Sequence, residues 1–328
     1  MNKTAAPETR RRNEEIAGFL QQTGIILVAV VLFAVFALLS DKFMTWPNIF
    51  NIFKQVSIIA VLSIGMTFVF LIGGMDLSAG SNVLLGAVVT GALITSGVMS
   101  TIPAMLTAVL LCAVTGLING LFIETLKINA VIVTLGSQLL IRGLALVIIQ
   151  RYNSWIWMNR DPILKYINVG TVGPVPVIFI IVVALYILAY LLLNRTAFGR
   201  KVYAVGGNER AAALCGVGTV RVKMMCFVIC GITAGIAGII AACRLGMVNT
   251  SVGVGMEFDA VTAVVLGGAS LKGGEGNVLK TLVGAVIVGF IANFMTLYGV
   301  DAHFQSAVTG MFILIAAVIN RMMLYKKA

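Results

Sequence analysis

From Asn48 to Ser81 the chain reads NIFNIFKQVSIIAVLSIGMTFVFLIGGMDLSAGS. Between about residues 50 and 73 this segment carries one charge, Lys54, and is otherwise apolar or uncharged. A run of about 20 such residues, wound as a helix, spans the roughly 30 Å hydrocarbon core of a bilayer. The run then stops at Gly73-Gly74-Met75-Asp76-Leu77-Ser78-Ala79-Gly80-Ser81, where glycines and short polar residues interrupt the helix. The pattern returns near the other end of the chain. Apolar residues from Glu257 run into Gly267-Gly268-Ala269-Ser270-Leu271-Lys272-Gly273-Gly274, and both interruptions have the form G-G-x-x-L-x-x-G.

The composition of the whole chain agrees with this unit. Of 328 residues, 60% are hydrophobic and 11% charged, with mean hydropathy +1.05. Soluble domains hold about 45–50% apolar and about 25% charged residues, so an ordinary globular protein is excluded. A disordered chain, which needs few apolar residues and dense charge, is excluded as well. Apolar stretches occur at Gly24–Leu39 and at about 50–73, 82–99, 103–123, 130–149, 174–193, 224–243, 257–271, 278–298 and 304–320. The first is longer than a secretory signal core and lacks a small-residue cleavage site, so it reads as an uncleaved span. Ten spans use about 200 residues, which leaves no room for a soluble catalytic domain.

The expected fold is therefore all-α: a polytopic integral membrane protein of about ten transmembrane helices with broken or re-entrant segments. Residues 1–23 form a cytoplasmic tail, 24–322 the transmembrane domain with a cytoplasmic loop at 194–223, and 323–328 a second cytoplasmic tail.

The net charge of +11 belongs to this topology rather than to a nucleic-acid footprint. Ten crossings with both termini cytoplasmic place sixteen Lys and Arg inside, among them Arg10-Arg11-Arg12 and six residues of the 194–223 loop. Only Lys42, Arg151, Arg160, Lys165 and Arg244 fall outside. Cys112, Cys226, Cys230 and Cys243 lie in apolar stretches and Cys215 in a polar loop, a pattern of reduced thiols rather than a disulfide framework.

Two loops are long. Gln150–Gly173 is the outer one, and its Trp155, Trp157 and Tyr166 suit a membrane interface. Asn194–Lys223 is the inner one and contains a short helix at Asn208–Cys215. Asn208 is its N-cap, Glu209 lies in its first turn, Ala211-Ala212-Ala213-Leu214 forms its body and Gly216 stops it. A helix that short is marginal alone and must dock on something. Its Ala-rich, weakly amphipathic surface favours a protein partner over a lipid surface.

Enzyme signatures are missing. The nearest approach to a phosphate-binding loop, Gly274 to Thr281, has Leu279 where the second glycine is required. The pairs Gly253/Gly255 and Gly274/Gly276 lack a third glycine. His303, read as an external loop residue, is the single histidine, which argues against multi-histidine metal sites and histidine-centred triads. No catalytic residue, metal ligand or cofactor site is assigned, and the chain reads as a non-enzyme.

Function must then lie in the helix breaks and the inner loop. Backbone released from a helix within a membrane lines a cavity or packs inside protein. Tight turns at the cytoplasmic surface are the other reading of both breaks. The later one follows about 15 residues of helix, roughly 22 Å, short of the bilayer core. Arg142 stands midway along an apolar stretch and must face a bundle interior, as a pathway residue or as a donor to backbone carbonyls. Gly116/Gly120 and Gly231/Gly235 read as close helix contacts.

Four segments together carry a family resemblance. Asn48–Ser81, Ala113–Gly143 (AVTGLINGLFIETLKINAVIVTLGSQLLIRG), Thr196–Gly216 (TAFGRKVYAVGGNERAAALCG) and Glu257–Gly276 (EFDAVTAVVLGGASLKGGEG) resemble ribose-type ABC sugar permeases, in family order and over nearly the whole chain. That family includes permeases for ribose, arabinose, xylose, galactose, allose and the sugar-like signal autoinducer-2.

The resemblance implies a multi-pass permease subunit in a bacterial cytoplasmic (inner) membrane. Its expected partners are a cytoplasmic ATP-binding-cassette ATPase that holds the ATP and Mg, a periplasmic or lipid-anchored sugar-binding protein, and a second permease subunit, identical or paralogous, with membrane lipid around them and no nucleic acid. The helix at Asn208–Cys215 would be the coupling element, with Gly207, Asn208, Glu209, Arg210, Ala211 and Leu214 at the ATPase contact. Gly73, Gly74, Asp76, Ser78, Asn119, Asn129, Arg142, Gly267 and Gly268 would be candidates for the translocation pathway. Two rivals are an ion-coupled secondary transporter and a transport-free scaffold or receptor. The first is disfavoured because the acidic residues, Asp76 excepted, read as lying at helix ends and loops.

Overall fold

The computed structural model describes residues 24–158, 161–173, 175–301, 304–312 and 314. The N-terminal tail, Arg160, His303 and residues 315–328, on which the readings of both tails rest, lie outside the described residues.

Each apolar stretch read from the sequence falls wholly or partly on a helix. α1 is Gly24–Leu39, α2 Trp46–Leu71, α3 Ala79–Thr95, α4 Thr101–Leu126 and α5 Ala130–Gln150. After a short α6, Pro162–Val169, come α7, Val177–Arg195, α8, Ala197–Gly207, and α9, Glu209–Leu214. The chain continues through α10, Thr219–Leu245, α11, Met256–Leu266, and α12, Val278–Leu297, to a helical stretch at 304–312. Among the described residues, α2, α4, α5, α7, α10 and α12 are long and apolar enough to cross a membrane, while α1 and α3 are apolar but shorter. The stretch at 257–271 is not one helix. α11 stops after 11 residues, about 16 Å of rise.

Burial separates two kinds of apolar helix. The most apolar windows of α2 and α10 are 83% and 78% buried, against 22% for α5. An apolar helix enclosed on all sides belongs to the protein interior, whereas an apolar exposed face needs lipid or another chain. α10 achieves its central position with small residues. A Cβ on Gly231 would fall on the Cys112 carbonyl of α4, and one on Gly116 would fall on the Phe227 carbonyl of α10. Gly120 sits 2.9 Å, by the same measure, from Met224 Cα, and Gly86 of α3 sits 2.7 Å from the Gly235 carbonyl oxygen. Both small-residue pairs read from the sequence are thus backbone-to-backbone helix contacts. α12 is tied to α2 by a buried reciprocal amide pair, Asn48 and Asn293, at 3.0 Å in both directions.

The 150–176 region holds more structure than the sequence showed, and the chain is mostly helical. β1, Trp155–Trp157, pairs antiparallel with β4, Met247–Asn249, joining segments about 90 residues apart. Asp161 caps α6 by accepting from the Ile163 and Leu164 amides. A small hairpin, β2 (Thr171–Val172) with β3 (Val175–Pro176), leads into α7. Trp155, Trp157 and Tyr166 are exposed there. α8 also escaped the sequence reading. Thr196 caps it by accepting from the Gly199 amide at 3.2 Å, and Gly199, Val202 and Val205 form its buried face.

Candidate functional site

Both glycine breaks are built by the same device. At the end of α2, Gly73 takes φ +74°, its amide donates to the Phe70 carbonyl and the Gly74 amide donates to the Val69 carbonyl. At the end of α11, Gly268 takes φ +81°, its amide donates to Val265 and the Ala269 amide to Val264. This is a Schellman stop, in which a left-handed residue turns the last amides back onto the final helical carbonyls. Gly73 and Gly268 therefore act first as helix stops. Gly74 packs on Val69, and Gly267 lies 2.8 Å, measured from a Cβ placed on it, from the Thr281 backbone. Each break then folds over a short polar side chain: Asp76 accepts from the Ser78 amide at 2.9 Å, and Ser270 accepts from the Lys272 amide at 3.2 Å.

The first break roots a polar seam inside the bundle. The Ser78 hydroxyl donates to Asp76 Oδ1 at 2.6 Å, Asn119 Nδ2 of α4 donates to Ser78 Oγ at 2.9 Å, and the Ser137 hydroxyl of α5 donates to Asn119 Oδ1. Asp76 and Ser78 are fully buried and Asn119 nearly so. One residue further on α5, Gln138 donates to Glu257 Oε1 of α11 at 2.8 Å. The other Glu257 oxygen lies over Gly80, where no Cβ fits. Asp76 Oδ2 and Glu257 Oε2 are buried and have no hydrogen-bond partner among the described residues, with the Cys230 thiol beside Asp76. Asp76, Ser78 and Asn119 thus come together, joined by Ser137, Gln138 and Glu257, which sequence reasoning did not single out.

The remaining pathway candidates stand apart. Asn129 is exposed and caps α5 by accepting from the Val131 amide at 2.9 Å. Arg142 donates to the Thr250 carbonyl at 2.7 Å, a contact of the backbone-donor kind. A cavity of about 840 Å³ between α11, α12 and the 304–312 stretch, with Asp259 and Thr309 in its wall, does not reach the seam.

The 194–223 loop presents α9 as the sequence reading anticipated. Asn208 caps it by accepting from the Ala211 amide at 3.0 Å, and Gly216 at φ +80° ends it. Ala212 is buried, and Gly207, Asn208, Arg210, Ala211 and Leu214 are exposed. Leu214 is 90% exposed, a large apolar side chain held in the open. Glu209 differs from the other five. It is half-buried and pairs with Lys223 of α10 at 2.7 Å, and Lys223 also pairs at 3.2 Å with Glu124 of α4. Glu124 is 4% exposed and takes a second cation, Lys127, at 3.5 Å. Glu209 is therefore a tether for α9. Glu124 in the last turn of α4 and Glu257 in the first turn of α11 lie at helix ends, as the sequence reading placed them, and like Asp76 both are buried. The signal that was available is a carboxylate at the edge of an apolar stretch, which demands a partner where the helix end is buried.

A helix-stop pair, a buried polar seam and a tethered helix with an exposed leucine thus stand together in one apolar helical bundle. The sequence profile of the family described as "Branched-chain amino acid transport system / permease component" matches residues 48–317. The chain belongs to this permease family. It is 36% identical over 312 residues to the ribose import permease protein RbsC of Escherichia coli (strain K12), covering 94% of this chain and 96% of that protein. It is 36% identical over 319 residues to RbsC of Bacillus subtilis (strain 168), covering 97% and 98%. It is 33% identical over 322 residues to the D-allose transport system permease protein AlsC of Escherichia coli (strain K12), covering 98% and 97%. No solved structure matches. The permease is a multi-pass membrane protein, in accord with the six apolar candidate spans among its described residues.

Proposed function

We propose that this permease is the membrane-spanning subunit of an ATP-binding-cassette importer that moves a monosaccharide across the bacterial inner membrane. The observation that carries the reading is the near end-to-end similarity to permeases named for ribose and allose. The family description names branched-chain amino acids, but these curated relatives are sugar permeases. Ten crossings with both termini cytoplasmic put α8 and α9 inside, where a separate ATPase binds and hydrolyses ATP with Mg. Its partners are that ATPase, a periplasmic or lipid-anchored sugar-binding protein, and a second permease subunit.

In this mechanism the ATPase grips α9 through Leu214, Arg210 and Ala211, while Glu209, Lys223 and Glu124 tether α9 to α10 and α4. Nucleotide-driven closure of the ATPase shifts α9, and the bundle alternates between outward and inward openings around the Asp76–Ser78–Asn119 seam. The path binds sugar weakly, because the binding protein provides selectivity and tight binding would slow release.

Reconstitution with the ATPase and a sugar-loaded binding protein tests the proposal. Uptake requires ATP, and Leu214→Asp lowers it about tenfold or more while membrane insertion stays normal. Uptake that persists without ATP and collapses with an uncoupler would overturn the reading in favour of an ion-coupled transporter.

A further inference from the structure

Glycines of three segments far apart in sequence, Gly73, Gly206-Gly207 and Gly273-Gly274, meet at one point. The Leu71 carbonyl, among the last of α2 and without an intrahelical partner, accepts from the Gly274 amide at 2.9 Å. Gly206, next to last in α8, lies directly on this hydrogen bond. A Cβ on it would coincide with the Leu71 carbonyl oxygen and crowd the Gly274 nitrogen. A Cβ on Gly273 would stand 2.7 Å from the Gly73 nitrogen and 3.0 Å from the Gly206 oxygen, and one on Gly274 would stand 2.8 Å from Gly207 Cα. Gly73, Gly273 and Gly274 all have positive φ. One turn back on α8, the Tyr203 hydroxyl donates to the Gly276 carbonyl at 3.0 Å, and burial raises its pKa above the ordinary phenol value.

Side chains are absent from the centre of this contact. α8, the end of α2 and the segment between α11 and α12 touch backbone to backbone, with a hydrogen bond through the middle. Such a contact has no rotamers to absorb displacement, so moving one element moves the others or breaks the bond. Asn208, the N-cap of α9, follows Gly207 directly.

We infer that this glycine joint transmits the displacement of α9 to both helix breaks at once, with Gly206, Gly273 and Gly274 as its positioning residues. The inference rests on the reading of α9 as the ATPase seat. It extends that reading by naming the route: coupling passes from α9 through α8 to the Gly73 break, which carries the Asp76 seam, and to the Gly267 break at the foot of α12.

The test uses the complete importer, permease with ATPase and binding protein, in lipid nanodiscs and in vesicles. Gly206→Ala assembles with the ATPase, keeps basal ATP hydrolysis within about twofold, and loses about tenfold in sugar uptake and in stimulation of hydrolysis by loaded binding protein. Gly206→Ala that assembles and remains fully coupled overturns the joint. If that variant fails to insert, hydrogen exchange on the wild-type importer decides. Residues 269–276 stay protected in both the resting and the nucleotide-trapped states if the joint moves as a unit. Rapid exchange there in either state overturns it. Leu214→Asp separates the two levels: unchanged ATPase binding and uptake in that variant defeats the α9 reading itself, whereas a Leu214 defect beside a fully coupled Gly206→Ala defeats only the joint.

Discussion

The two glycine breaks share a sequence form and a helix stop, yet they are wired differently. After Gly73 the polar residues are Asp76 and Ser78, both buried, and they run by hydrogen bonds into α4 and α5. After Gly268 they are Ser270 and Lys272, and Lys272 is exposed. The first break is tied to the spans through side chains, and the second is tied to α2 and α8 through backbone. The glycines set the turn, and the two polar positions that follow decide what the turn is attached to. Asp76 in the place of Ser270 converts a turn closed on its own backbone into the root of a side-chain network that reaches α4 and α5.

This contrast yields graded effects on stability, measured as thermal unfolding of the purified permease in detergent. Asp76→Ala strands the Ser78 amide and hydroxyl in the interior and destabilises by about 2–3 kcal/mol, whereas Asp76→Asn keeps an acceptor and loses about 1 kcal/mol. Gly73→Ala destabilises by about 2 kcal/mol, because a left-handed residue gains a Cβ that also crowds the Lys272 carbonyl at 3.1 Å. Gly268→Ala meets nothing within 4 Å and loses only the left-handed penalty, about 1 kcal/mol. Ser270→Ala changes stability by about 0.5 kcal/mol, since the Lys272 amide can turn to water. Equal losses at Asp76 and Ser270, or at Gly73 and Gly268, would erase the distinction between the breaks.

The sequence disclosed what depends on near neighbours. The Asn208 cap, the Gly216 stop and the facing pairs Gly116/Gly120 and Gly231/Gly235 follow from the chemistry of single turns and helix faces. The apolar stretches located the helices, but not how α11 is cut short, because the glycine run ends it before hydropathy falls. Contacts between distant segments left no local trace. Gln138 and Glu257 are 119 residues apart, and β1 meets β4 across about 90. The glycines at 73, 206–207 and 273–274 look like three independent turns until their backbones are seen to touch. Lys223 reads as one of many cytoplasmic cations, and only its position between Glu124 and Glu209 gives it a separate task.

The exposed thiol of Cys215, beside Leu214, offers the most direct measurement, because the other four cysteines are buried. A membrane-impermeant maleimide should label Cys215 in inside-out vesicles stripped of the ATPase, fail to do so when the ATPase is bound, and fail from the outside of intact cells. Labelling from outside, or labelling unaffected by the ATPase, would contradict the assignment of α9 as the handle by which a separate motor drives this permease.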